Sequence, residues 1–162
     1  MMLPSHLLAT LLGCALLSMA RPLAPRQWLL AIAFGVVIDL DHLLQVPAYI
    51  AANGWSDLTP GAILAWGGAW QGFMHTPWAL ALVVPAMLLF RSWMPLAAWG
   101  LHMVLDFVVA RHFVRFGGPL EWAIVGALFA ALALIALRDH RAHGRDARLH
   151  EHVLARVALV WR

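Results

Sequence analysis

Long runs of apolar residues, separated by short turns that contain Pro, Gly or Arg, make up most of this chain. A helix needs about 20 mainly apolar residues to cross the hydrocarbon core of a membrane, and most of the runs approach that length. The pattern predicts five apolar helices, at residues 5–20, 28–46, 77–90, 93–110 and 119–137.

Two prolines place boundaries of these helices. Pro47 is expected to end the second helix, because the residue before a proline is pushed out of helical geometry. Thr76 and Pro77 are a capping residue and a proline at the first helical position, so the third helix is expected to begin there, beside His75. The segment 51–74 is rich in Gly and Trp and is expected to form an interfacial or re-entrant connection.

Composition agrees with this all-α, polytopic membrane bundle. The chain is 63% hydrophobic and 12% charged and contains nine tryptophans, which lies outside the range of soluble domains. Several predicted helices are short, so tilt or incomplete spanning is expected. With 162 residues there is room for one bundle, predicted at 1–137, followed by a basic tail at 138–162.

The distribution of arginine predicts the orientation. All eleven basic residues are arginines, and six of them follow Leu137. The positive-inside rule therefore puts the N-terminus outside and the C-terminal tail in the cytoplasm, where the tail would lie on anionic lipid. Arg111 and Arg115 are the exceptions, because this topology places them on the outer side.

Ionisable side chains interrupt the apolar helices, and all of them fall in the predicted outer half. A carboxylate near the centre of a membrane helix costs roughly 2.5–3.5 kcal/mol, so a cation should accompany it. The chain has no lysine, and no arginine lies within a predicted helix, so the cation is most simply a metal. The candidate ligands are His6, Asp39, Asp41, His42, His75, His102 and Asp106.

Imidazole and carboxylate donors favour zinc, with manganese or iron as alternatives, and seven candidates are enough for one or two ions. A set made of oxygen donors alone would have favoured magnesium or calcium. His102 and Asp106 are four residues apart and therefore share one helix face.

The same residues carry a resemblance. The stretches "SHLLATLLGCALL", "DLDHLLQVP", "GFMHTPWAL" and "LHMVLDFVV" followed by "GGPLEW" resemble, in order and spacing, the motifs of the YdjM-like family of bacterial inner-membrane proteins, described as metal-dependent hydrolases. The resemblance covers about residues 5–125 and implies that the seven candidates bind metal or act in catalysis. Trp70 and Gln71 depart from it, since the family often has His and Arg there.

The expected function is hydrolysis of a phosphoester, in a lipid or a lipid-linked molecule, by a metal-activated water near the outer face of the inner membrane. Asp41 or Asp106 would accept the proton. Arg111, Arg115 and Thr76 would bind the substrate, and no nucleic-acid partner is expected. The alternatives are a proton or metal-ion transport protein, and haem ligation by two histidines, which would leave Asp39 and Asp41 unexplained.

Overall fold

The computed structural model describes residues 3–55, 72–110 and 118–143, and the regular structure in these ranges is helical. We label the α-helices α1 (Leu3–Ala20), α2 (Pro25–Gly35), α3 (Val46–Asn53), α4 (Leu80–Leu89), α5 (Met94–Val104) and α6 (Pro119–His143). A 3-10 segment, Val37–Gln45, joins α2 to α3, and a π-helical segment, Leu105–Ala110, extends α5. The described residues thus form five helical runs, as predicted.

The prediction that Pro47 ends the second helix is wrong. Helix α2 already ends at Gly35, and the 3-10 segment follows it. Helix α3 then starts at Val46, which places Pro47 in the first turn of a new helix. Proline is tolerated there because the first backbone N–H groups of a helix have no partner within it. The helical run therefore reaches Asn53.

The third helical run begins at Pro77, directly after Thr76, as predicted. A single 3-10 turn, Pro77–Ala79, leads into α4, and Phe90 follows the last residue of that helix. Thr76 occupies the capping position, but its hydroxyl donates to the carbonyl of Phe73 (2.8 Å) and does not cap the helix. The final run is longer than predicted and reaches His143.

Helices α1, α2 and α5 meet around a small core, and α6 packs along α1. The buried core residues are Cys14, Leu30, Ala31, Met94 and Ala98. Gly35 is in tight contact with both neighbouring helices: a Cβ atom there would stand 2.6 Å from the Thr10 hydroxyl and 3.4 Å from the Cβ of Ala98. The end of α2 is therefore held directly against α1 and α5.

Among the described residues, three helical runs are long and apolar enough to cross a membrane: Leu3–Ala20, Pro25–Asn53 and Pro119–Ala142. The run Pro77–Leu89 is apolar but shorter. Large apolar side chains such as Phe129 and Leu134 are exposed on α6, as expected of a lipid-facing helix. Most of the predicted re-entrant connection and of the basic tail lies outside the described residues.

Candidate metal centre

The seven predicted ligands converge at one place although they belong to three helical runs and a separate short turn. His6 lies on α1, and His102 and Asp106 lie on α5 and its π-helical segment. The 3-10 segment carries Asp39, Asp41 and His42, and the short 3-10 turn Phe73–His75 carries the remaining histidine. The predicted convergence is thus present in the structure.

Local backbone geometry explains how the neighbouring aspartates take different directions. A 3-10 helix has three residues per turn, so the side chains of Asp39 and His42 lie on the same side of the helix. The side chain of Asp41 lies on a different side. Accordingly, Asp39 faces His102 and Asp41 faces the opposite edge of His75. The π-helical segment starts directly after Val104, within the turn that separates His102 from Asp106; such segments often occur at functional sites.

Four donor atoms form the centre of the cluster. The Nε2 atoms of His75 and His102 are 2.9 Å apart, and Oδ1 of Asp39 lies 3.3 Å from each of them. Oδ2 of Asp106 lies 3.3 Å from Nε2 of His102 and 3.5 Å from Nε2 of His75. Two donors bound tetrahedrally to zinc at about 2.0–2.1 Å would stand about 3.3–3.4 Å apart. The four distances between carboxylate oxygens and imidazole nitrogens match this spacing, whereas the two Nε2 atoms lie closer together than two zinc ligands would.

His6 supplies a fifth donor. Its side chain is fully buried, and its Nε2 lies 3.0 Å from Oδ1 of Asp106. The His6 ring also stacks on that of His102, with centroids 4.1 Å apart. Within the described part of the chain, neither nitrogen of His6 makes a hydrogen bond. Because a buried polar atom without a hydrogen bond costs about 1–3 kcal/mol, these nitrogens favour a bound cation.

The tautomer of His102 follows from its contacts. Its Nδ1 lies 3.1 Å from the carbonyl oxygen of Gly35. A carbonyl oxygen only accepts hydrogen bonds, so Nδ1 carries the hydrogen, and the Nε2 atom of the neutral ring presents a lone pair to the cluster.

His75 is oriented in the same way by a carboxylate. Its Nδ1 lies 3.1 Å from Oδ1 and 3.4 Å from Oδ2 of Asp41, so Nδ1 is the donor and Nε2 presents the lone pair. The backbone N–H of Met74 also donates to Oδ2 of Asp41 (2.8 Å), and the indole of Trp99 donates to the Met74 carbonyl (2.8 Å). The turn that carries His75 is thus held in place on both sides.

His42 lies at the edge of the cluster. Its Nε2 is 3.8 Å from Oδ1 of Asp39, its Nδ1 is 3.8 Å from Oδ1 of Asp41, and its ring stacks on His75. With 33% of its side chain exposed, it is the most accessible of the ion-paired residues of the cluster. This edge is therefore the most accessible side of the cluster.

Two groups of donors have the spacing that a metal ion requires, with ligand atoms within 4.8 Å of one another. The first consists of His6, Asp39, His102 and Asp106, and the second of Asp39, His42 and His75. Asp39 belongs to both groups, and Asp41 belongs to neither. The part of the chain that the structure describes therefore contains a buried His/Asp cluster that could bind a metal.

The described structure does not test the three predicted substrate residues. Thr76 uses its hydroxyl within its own turn, so its role in substrate binding stays a prediction. Arg111 and Arg115 lie outside the described residues. Three backbone positions that support the histidines were not predicted from the sequence: the carbonyl of Gly35, the amide of Met74 and the Cα of Gly72. For Gly35 and Gly72, the only signal in the sequence is the glycine itself, which precedes the "DLDH" and the "FMH" stretch, respectively.

Comparison of the chain with protein-family models, with curated proteins and with solved structures finds no match. The resemblance to the YdjM-like family therefore stays a prediction, and the candidate site has to be interpreted from its own geometry.

Proposed function

We propose that this protein is a membrane-embedded, metal-dependent hydrolase that acts on a phosphoester, with a lipid or lipid-linked molecule as its substrate. The observation that carries the proposal is the 2.9 Å separation of the Nε2 atoms of His75 and His102. Both Nδ1 atoms are occupied, one by Asp41 and the other by the Gly35 carbonyl, so in the neutral rings two Nε2 lone pairs face each other.

Charge strengthens this argument. Oxygens of Asp39 and Asp106 lie within 3.5 Å of the same two nitrogens. Lone pairs and carboxylates repel one another at such distances in a poorly solvated site, and a divalent cation between them would reverse the sign of the interaction.

The donor chemistry indicates which ion would be held. Three imidazoles, from His6, His75 and His102, and two carboxylates, from Asp39 and Asp106, suit zinc best and also suit manganese or iron. His42, with Asp39 and His75, offers donors for a second ion. When bound, such a metal supplies Lewis acidity that lowers the pKa of water toward about 7 and polarises a phosphoryl oxygen.

The chain's own residues provide the surroundings for hydrolysis. Apolar helices enclose the cluster and exclude bulk water, which strengthens electrostatic interactions within it. His42 marks the accessible edge, where a substrate would enter. Asp106, with one oxygen toward His6 and the other toward His75 and His102, is the candidate proton acceptor that is already within the cluster. A site between apolar helices favours a lipid substrate over a soluble one.

The experiment combines metal analysis with an activity measurement on the full-length protein in detergent. Wild type should contain close to one or two equivalents of zinc, and the Asp39→Asn, His102→Gln double variant should contain little. Wild type should also hydrolyse bis-p-nitrophenyl phosphate or short-chain phosphatidic acid, lose this activity on chelation and regain it with zinc.

The matched control is His140→Ala, which removes a histidine that belongs to neither donor group. It should keep both metal and activity. Equal metal content in wild type and in the double variant would refute the metal site. Stoichiometric zinc without hydrolysis of any phosphoester would refute the enzymatic part of the proposal alone.

Transport of protons or metal ions is the second candidate function. A proton shared between the two Nε2 atoms would also relieve their repulsion at 2.9 Å, so the contact that supports the metal also supports this alternative. Flux measurements in proteoliposomes distinguish the two: wild type should pass neither zinc nor protons if it is a hydrolase.

A further inference from the structure

We propose that Asp41 is a positioning residue that acts on the metal through His75, and that Gly72 exists to make room for its carboxylate. This inference rests on the proposed metal site and assigns a different task to one of the seven predicted ligands. It also separates two aspartates that sequence spacing alone treats as equivalent.

The two nitrogens of His75 face different partners. Nδ1 lies against the Asp41 carboxylate, whereas Nε2 lies among the donors of His102, Asp39 and Asp106. A carboxylate that accepts the second N–H of a metal-binding histidine fixes the tautomer and the ring orientation and makes the other nitrogen a stronger ligand. The Asp41 carboxylate occupies this position.

Asp41 is itself held by the turn that carries His75. The Met74 amide donates to its Oδ2, and the side chain is mostly buried. A Cβ atom on Gly72 would overlap both oxygens and the carboxyl carbon of Asp41. Since any side chain at residue 72 would displace the carboxylate, glycine is required there by space.

Direct ligation by Asp41 is the competing interpretation. Its Oδ1 is buried, contacts Nδ1 of His75 (3.1 Å) without the geometry of a hydrogen bond, and lies 3.8 Å from Nδ1 of His42. The two interpretations differ in thermodynamic coupling. A residue that acts only through His75 has no effect once His75 is removed, whereas an independent ligand keeps its effect.

The test is a double-mutant cycle on zinc affinity, measured for the full-length protein in detergent by competition with a chromogenic chelator. Asp41→Ala should weaken zinc binding by about 10–100-fold, as expected of a residue that supports a ligand. His75→Ala should weaken it further, and the double variant should bind zinc no more weakly than His75→Ala alone. Asp41→Asn, which keeps an acceptor oxygen, should recover part of the affinity.

Gly72→Ala tests the same role of Asp41 without changing Asp41 itself. It should reproduce the loss caused by Asp41→Ala in the wild-type background and cause no further loss when Asp41 is already alanine. Replacement of zinc by cobalt should show a changed visible spectrum in Asp41→Ala, which a distant structural effect would not produce. Thr76→Val, which breaks a different hydrogen bond of the same turn, is the matched control and should keep zinc affinity.

The outcomes separate the inference from the function on which it rests. Additive losses in the Asp41 and His75 cycle, or an unchanged affinity in Asp41→Ala, would overturn the positioning role while leaving the metal site intact. Wild type that binds no metal would overturn both. If Asp41→Ala does not fold, Gly72→Ala and Asp41→Asn decide the question by the same criteria.

Discussion

His6 on α1 and Asp106 on the π-helical segment are joined by a contact of 3.0 Å between Nε2 and Oδ1, across 100 positions of the chain. This contact ties the first helical run to the fourth through a residue that has no exposed surface. The cluster is therefore part of the packing of the bundle, and changes to it should affect stability as well as chemistry.

Removal of His6 should weaken metal binding and destabilise the fold together. His6→Ala deletes one donor and removes the imidazole that contacts the Asp106 carboxylate, and loss of a polar partner in a buried site typically costs about 1–3 kcal/mol. Zinc titration and thermal unfolding in detergent measure the two effects. A variant with normal zinc affinity would contradict the assignment of His6 as a ligand.

Metal removal should lower the thermal midpoint of wild type. A ligand at 100 times its dissociation constant stabilises the folded state by about 2.7 kcal/mol, and chelation would abolish this contribution. Thermal scans with excess zinc and with excess chelator provide the measurement. The Asp39→Asn, His102→Gln variant should have the same midpoint in both conditions, and a zinc effect of equal size there would indicate binding elsewhere.

The carboxylate of Glu121 is also buried, and it lies outside both donor groups. The hydroxyl of Ser5 donates to Oε1 of Glu121 (3.0 Å), and both residues are fully buried between α1 and α6. Because removal of a hydrogen-bond partner from a buried polar group costs about 1–3 kcal/mol, Ser5→Ala should lower stability by about that amount. Zinc content should be unchanged. Loss of zinc in Ser5→Ala would show that this pair also shapes the metal site.

Gly35 should be sensitive to the smallest substitution. In Gly35→Ala the new methyl group would meet the side chain of Thr10, and relief of this overlap would move the carbonyl that binds His102. Both thermal stability and zinc affinity should therefore fall. Thr10→Ala removes the two nearest atoms, so the Gly35→Ala, Thr10→Ala double variant should recover most of the loss. Failure of this rescue would point to backbone conformation as the cause.

Arg111 and Arg115 carry a prediction that comes from the sequence. If they hold an anionic substrate, replacement of both by glutamine should raise KM for a phosphoester and leave zinc content unchanged, because guanidinium groups bind phosphate oxygens in pairs. Lysine at both positions should restore KM only in part. Kinetics on phosphatidic acid provide the measurement, and an unchanged KM would remove both residues from the substrate site.

The sequence by itself determined the class of structure and the membership of the cluster. Apolar runs of near-spanning length predicted the five helical runs, and the cost of placing Asp39 and Asp41 among apolar residues predicted that a cation, most simply a metal, would accompany them. Both inferences depend on local composition and on the medium, which the order of residues expresses directly. Pro47 shows the limit, because a helix can end before a proline and a new one can begin at it.

Only the tertiary structure decided which atoms of these residues face the cluster and which contact supporting groups. Asp39 and Asp41 are two positions apart in one motif, yet they contact different nitrogens of His75. Asp39 lies against Nε2, and Asp41 lies against Nδ1. The orientation of His102 is set by the carbonyl of Gly35, 67 positions away. Hydrogen-bond partners of this kind are backbone atoms brought close by helix packing, and no periodicity or spacing in a sequence encodes their positions.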